Sequence, residues 1–392
     1  MKIAQIVASY HPRVGGVEKH VRQLAEGCAD AGDEVTVVTH QVGSAPAVED
    51  IDGVRVLRFP LTSSLHNYPL SLSLFRHLKA HKADFDLVHV HSYHTLVGHS
   101  AVGSGLPFVF TPHYHGTGHT RFRALLHRLY RSSGARLFMA ADAVICVSTA
   151  ERDLIAADFP NHAGKLVTIP NGIGPTSVRP ESVSLAIQKP LILTVGRLER
   201  YKNVDLIIEA FCQLQPNSTL VIVGDGPDRA RLERKARAAA EPDRSILFTG
   251  RVPETMLSDL LSQANVVVSA SDHEAFGLSL AEGLAYGTRA VASPIPAHAE
   301  LANTAGVNAP VALVDPRDTG RFADGLAASI HAGRVPAEGL RLVPWTDVVR
   351  TTRALYLQVL RQDHRGLESS APDTHTQFGR LRNTSEAQTE SA

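Results

Sequence analysis

Short apolar runs alternate with longer amphipathic stretches along most of the chain. Ile3–Ala8, Glu34–Thr39, Val54–Phe59, Asp86–His91, Phe108–Thr111, Ala143–Val147 and Lys165–Ile169 read as strands, with helical patterns such as Val17–Ala31 and Leu70–His81 between them. This alternation predicts a parallel sheet covered by helices on both faces. The pattern restarts at Leu191–Val195, Thr219–Val223, Ile246–Thr249, Val266–Ser269 and Arg289–Ala292. Between the two series, Pro170-Asn171-Gly172-Ile173-Gly174-Pro175 and an aperiodic stretch from Thr176 to Lys189 gather turn formers where a linker is needed. The fold class read from this is α/β, with one domain over residues 1–175 and a second over 185–345. Domains of this kind bind ligands at the carboxyl ends of their strands, where two crevices can face each other.

Trp345–Arg361 reads as one amphipathic helix, with Val348, Leu355 and Val359 on one face and Val349 and Leu360 beside it, so a separate helical unit is expected over 346–363. From 364 to 392 Ser, Thr, Gln and Gly replace large apolar residues. Such a segment cannot offset its chain entropy by burial, and a disordered tail is expected.

At 392 residues the chain is too long for one ordinary core, in agreement with two domains. Lys+Arg and Asp+Glu balance at 39 each, which gives no charge argument for nucleic acid. Cys28, Cys146 and Cys212 are odd in number and widely spaced, so neither a disulfide framework nor a CxxC pair is read. A reducing, cytoplasmic setting is expected. The first apolar run stops at His11-Pro12-Arg13, too short for a signal-peptide core, and no run approaches the roughly 20 residues that span a bilayer.

Two stretches carry chemistry. In Ser269-Ala270-Ser271-Asp272-His273-Glu274-Ala275-Phe276-Gly277-Leu278, a strand runs into a polar loop and a helix starts near Gly277. Free amides and the dipole at such a start suit a diphosphate. Glu274 in the loop and Glu282 in the helix suit the vicinal hydroxyls of a ribose or a sugar, because a carboxylate accepts two hydrogen bonds. In Thr194-Val195-Gly196-Arg197-Leu198-Glu199-Arg200-Tyr201-Lys202, a strand ends in Gly and places Arg197 and Lys202 in a loop, where two cations can neutralise a diphosphate.

Both stretches resemble family 4 of the retaining glycosyltransferases, and the likeness covers roughly residues 1–362. It includes Gly15-Gly16-Val17-Glu18, His91, Thr111-Pro112-His113, Val147-Ser148, Ile169-Pro170-Asn171-Gly172, Val223-Gly224-Asp225-Gly226-Pro227 and Thr249-Gly250-Arg251-Val252. Seven residues separate Glu274 from Glu282, as in the family. The resemblance implies the GT-B architecture of two facing Rossmann-like domains, with the C-terminal helix crossing back to the first. It implies that Gly15 and Gly16 admit the donor phosphate and that Arg197 and Lys202 hold the diphosphate as it leaves. Glu282 would bind the ribose and Glu274 the donor sugar, assisted by the amides of Phe276, Gly277 and Leu278. Arg251 and Val252 would lie beside the base, and His113 over the reacting sugar as a hydrogen-bond donor. The donor would be a UDP- or GDP-sugar and the acceptor lipid-linked, a saccharide or a small molecule. No resident cofactor is implied, and a dependence on divalent cations is left open. Retention by front-side attack, with the departing phosphate oxygen taking the acceptor's proton, needs no carboxylate nucleophile.

Other patterns point elsewhere. Asp84-Phe85-Asp86 mimics a metal-binding Asp-x-Asp but opens a strand. His89, His91, His94, His99, His113, His115 and His119 crowd one region, yet only His89 and His91 share a strand face, and no metal site is assigned. Gly224-Asp225-Gly226-Pro227 lacks the third Gly of a dinucleotide fingerprint. Arg121, Arg123, Arg128 and Arg131 flank an apolar stripe, which raises peripheral contact with the inner face of a membrane as an expectation. The rival readings are a non-catalytic nucleotide-sugar-binding protein and another enzyme class on the same architecture. A phosphorylase would need a pyridoxal lysine site, which nothing in the chain suggests.

Overall fold

The computed structural model describes residues 1–13, 15–65, 68–116, 133–173, 187–239, 243–306, 310–336 and 340–370, with the side chains of 64, 65, 68 and 363–370 outside the description. The first sheet holds β1 (Lys2–Ile6), β2 (Glu34–His40), β3 (Val48–Ile51), β4 (Val54–Phe59), β7 (Leu87–His91), β8 (Phe108–Thr111), β9 (Ala143–Cys146) and β10 (Leu166–Thr168). Their order is β10-β9-β8-β7-β1-β2-β4-β3, parallel throughout except for β3. A small hairpin of β5 (Ser63–Leu65) and β6 (Tyr68–Leu70) stands apart from it. The second sheet holds β11 (Leu191–Val195), β12 (Ser218–Val223), β13 (Arg244–Gly250), β14 (Val266–Ser269), β15 (Arg289–Ala292) and β16 (Val311–Leu313), all parallel in the order β13-β12-β11-β14-β15-β16. The order reverses at β1 in the first sheet and at β11 in the second, so the loops after these two strands open onto ligand crevices.

Each sheet is covered on both faces. Ile3, Val37 and Val109 pack one way with Val21, Leu24 and Cys28 of the helix Gly16–Asp30, while Ala4, Val88 and Phe110 pack the other way. The C-terminal helix, Trp345–Ser370, returns to this first domain: Val348, Val349, Tyr356 and Val359 lie in the same cluster as Ile3 and Val21. Its approach is close, since a Cβ at Gly27 would fall 2.5 Å from Val349 Cγ2. Arg353 Nε reaches Asp33 at 2.6 Å, and Tyr356 Oη lies 2.6 Å from His89 Nδ1. The helix runs past residue 363 to Ser370, longer than the apolar pattern alone indicates; residues 371–392, most of the expected tail, lie outside the described residues. So do Arg121, Arg123, Arg128 and Arg131. Among the described residues no helix is long and apolar enough to cross a membrane.

Candidate active site

The loop after β11 is shaped by backbone crowding. Gly196 donates to Val223 O at 3.0 Å and Leu198 to Asp225 O at 3.1 Å. A Cβ at Gly224 would sit 1.9 Å from Gly196 O, and one at Gly226 would sit 2.3 Å from Leu198 O. The Gly224-Asp225-Gly226 stretch is thus the buttress of the loop that carries Arg197. A short turn, Arg200–Lys202, then aims Lys202 at the end of β14. Asn203 Nδ2 ties that turn to Ala270 O at 3.0 Å.

Lys202 Nζ donates to Glu274 Oε1, and Ser271 Oγ donates to the same oxygen at 2.9 Å. Burial alone would lower the lysine and raise the carboxyl, but the attraction between them outweighs it, so Lys202 lies above and Glu274 below its ordinary value. Both remain charged near neutrality. Arg197 lines the same pocket as Lys202, Ser269 and Ser271, with an exposed side chain whose Nε is 3.2 Å from Glu199 Oε1. Phe276 packs on the second domain's core with Val252, whereas Arg251 is exposed at the end of β13. Gly277, at φ 93°, starts the helix Leu278–Ala285 without a side-chain cap. Among the described residues no acceptor takes the amides of Gly277, Leu278 or Ser279. A helix start with its donors free, near a lysine, has the chemistry that suits an anion.

The first domain supplies the opposite wall. Gly15 precedes the helix Gly16–Asp30, and a Cβ at Gly16 would lie 4.0 Å from Leu278 Cδ2, so the two glycine turns face each other. Lys19, one turn on, puts Nζ 2.6 Å from Glu282 Oε1 and 3.3 Å from Glu254 Oε1. Glu282 is therefore held by a cation of the other domain. Ser148 Oγ donates to Ala275 O at 2.6 Å, and the amides of Thr149 and Ala150 donate to Glu300 at 2.7 and 2.8 Å. The start of the helix Thr149–Asp158 is thus capped from across the cleft. Sequence reasoning missed Lys19 and Glu300, which sit in no motif and whose partners are distant in sequence.

His113 lies just beyond β8 at φ 48°, in the left-handed region that non-glycine residues adopt uncommonly. Its neighbour Tyr114 donates its amide to Glu151, whose other oxygen accepts from Val147 N at 2.6 Å. Burial pushes Glu151 up to about 8 against the lowering effect of those two amides. His115 brings its ring to 6.0 Å from that of Tyr201 in the second domain, so the loop from His113 overhangs the Lys202 pocket. Behind it, the rings of His20 and His113 lie 4.9 Å apart and those of His20 and His91 5.5 Å apart. Burial lowers His20 to about 4 and holds His91 and His113 well below the usual histidine range. The Asp84-Phe85-Asp86 stretch is structural: Asp84 faces His81, and Asp86 accepts from Lys2 N at 2.7 Å.

Comparison with known proteins agrees with this geometry. The family model for Glycosyltransferase Family 4 matches residues 14–176, and that for Glycosyl transferases group 1 matches residues 179–336. The chain belongs to glycosyltransferase family 4. This family 4 glycosyltransferase is 24% identical over 395 residues to a phosphatidylinositol N-acetylglucosaminyltransferase chain of Arabidopsis thaliana, covering 94% of this chain and 84% of the relative. The fold is that of solved GT-B enzymes. Sucrose-phosphate synthase from Thermosynechococcus elongatus superposes with a TM-score of 0.71 at 24% identity, over 94% of this chain and all (100%) of the other. Anabaena HepE, solved with UDP-glucose, gives a TM-score of 0.66 at 18% identity over 94% and 100%.

Proposed function

We propose that this glycosyltransferase transfers a sugar from a UDP- or GDP-sugar, with retention, to a lipid-linked, saccharide or small-molecule acceptor. The observation that carries this reading is the Lys202–Glu274 pair set beside the unpaired amides at the start of the helix Leu278–Ala285. Lys202, Arg197 and those amides neutralise the diphosphate as the bond to the sugar breaks, where fixed charge and dipoles need no reorganisation. Glu274 accepts from the donor sugar and Glu282 from the ribose, the latter exchanging its contact with Lys19. Gly15 and Gly16 leave room for the phosphates, Arg251 and Val252 flank the base, and His113 donates to the sugar from the opposite wall. The departing phosphate oxygen takes the acceptor's proton, so the reaction needs neither a carboxylate nucleophile nor a resident cofactor. The complex of HepE with UDP-glucose supports the donor class, and the relative acting on phosphatidylinositol supports a lipid acceptor.

The test is turnover of Lys202→Ala and Glu274→Ala with the donor that most raises the melting temperature in a nucleotide-sugar panel. Each variant should keep the wild-type fold and lose turnover, Lys202→Ala by about 10²–10³ in kcat, as removal of one transition-state donor does elsewhere. Wild-type turnover in both would refute the assignment.

A further inference from the structure

Three histidines converge at the floor of the cleft from separate elements: His20 from the helix Gly16–Asp30, His91 from the end of β7 and His113 from the loop after β8. Each offers a ring nitrogen, and these three atoms lie within 4.8 Å of one another. The nitrogens are unsatisfied. Among the described residues, His91, 0% exposed, has both ring nitrogens unpartnered, and Nε2 of His20 and of His113 likewise meets no hydrogen-bond partner. His20 Nδ1 lies 2.7 Å from Asn171 Oδ1; a carbonyl oxygen only accepts, so the proton sits on Nδ1 and Nε2 presents a bare lone pair to the cluster. An outer partner that fixes ring orientation in this way is what imidazole metal ligands characteristically have. Sequence reasoning assigned no metal because it sought the histidines along one stretch; His20, from a distant helix, completes the set.

We propose that His20, His91 and His113 form a site for a zinc-class divalent ion, with an open position facing the cleft. Three neutral imidazoles suit Zn²⁺ or Co²⁺ and not Mg²⁺, which takes oxygen ligands. An ion at about 2.0–2.1 Å from each nitrogen would draw them to roughly 3.4 Å apart, with the rings of His91 and His113 closing on a His20 ring that Asn171 holds. The ion takes no part in transfer. It captures His113, and on the proposed function above it therefore blocks the donor sugar, so the site acts as an inhibitory one.

The binding arm needs no nucleotide sugar. Calorimetric titration of the full chain with Zn²⁺ should show one saturable site, and Mg²⁺ none. His20→Asn and His91→Asn should each weaken it at least about 100-fold, Asn171→Leu about 10–100-fold through loss of ring orientation, and Lys202→Ala not at all. Co²⁺ added to the unaltered chain should give the intense visible bands of a tetrahedral ion, a reading that does not depend on any variant folding. Absence of saturable Zn²⁺ binding, absence of those bands, or full binding by folded His20→Asn and His91→Asn would each overturn the site. In the activity arm Zn²⁺ should compete with the donor and a chelator should restore transfer. A chain that binds Zn²⁺ through the three histidines yet transfers at full rate would uphold the site and refute the place given to His113 at the donor sugar.

Discussion

Glu151 shows how one side chain can set the shape of the cleft from outside it. Its two oxygens hold the amides of Tyr114 and Val147, and so fix the loop that carries His113. Its folded value of about 8 lies above the ordinary 4.5, so between these limits the native state keeps a proton that the unfolded chain has lost. Stability then falls as pH rises through that window, by up to about 1.4 kcal/mol per pH unit, and levels off above it. Glu151→Gln has no proton to lose and should remove this slope, though its NH2 cannot accept from one of the two amides and lowers stability at every pH. Denaturation of both proteins at pH 6, 7 and 8 should show the variant gaining on the wild type; a constant difference would count against it. Gly224 is a second such position. At φ 126° and with Gly196 O where a Cβ would go, Gly224→Ala should cost at least about 2 kcal/mol and displace the Arg197 loop. Thermal melts would measure the first effect, and weaker nucleoside diphosphate binding the second.

At the scale of elements, the helix Trp345–Ser370 is tied to the first domain by a fully buried polar contact as well as by its apolar face. Tyr356 is fully buried and its hydroxyl meets His89 Nδ1, while Thr111 Oγ1 lies 2.7 Å from His89 Nε2. Tyr356→Phe leaves one buried nitrogen unpaired and should cost about 1–3 kcal/mol in chemical denaturation, with no loss expected if the contact is incidental. The amphipathic face of this helix was legible because Val348, Leu355 and Val359 repeat at helical spacing; Tyr356 was not, since its role depends on a histidine 267 positions away. The buried parallel strands were equally legible, as continuous apolar runs. β3 was overlooked because Val-Glu-Asp-Ile is a half-exposed edge, although the Asp52-Gly53 turn, with φ 50° and 79°, is a strong hairpin signal. In the site, Arg197, Lys202, Glu274 and Glu282 could be found because each flanks a strand-to-helix junction. Lys19 and Glu300 lie inside ordinary helices, and only the packing of one domain on the other gives them partners, while His20 meets Asn171 within its own domain but 151 positions away in sequence.

The whole molecule brings two walls together around one polar gap. Lys19–Glu282, Ser148–Ala275 and Glu300 with the helix start at Thr149 bridge the domains. These contacts place the glycine turn at Gly16 opposite Leu278, with free amides and Lys202 nearby. A diphosphate answers all of these donors; a monophosphate satisfies only part of them. The most direct measurement is calorimetric titration of UDP, GDP and the matching monophosphates into the wild type and Lys202→Ala. The wild type should bind at least one diphosphate about tenfold or more tighter than its monophosphate, and Lys202→Ala should abolish the difference. Equal affinities in the wild type, or a preference that survives in the variant, would contradict the account.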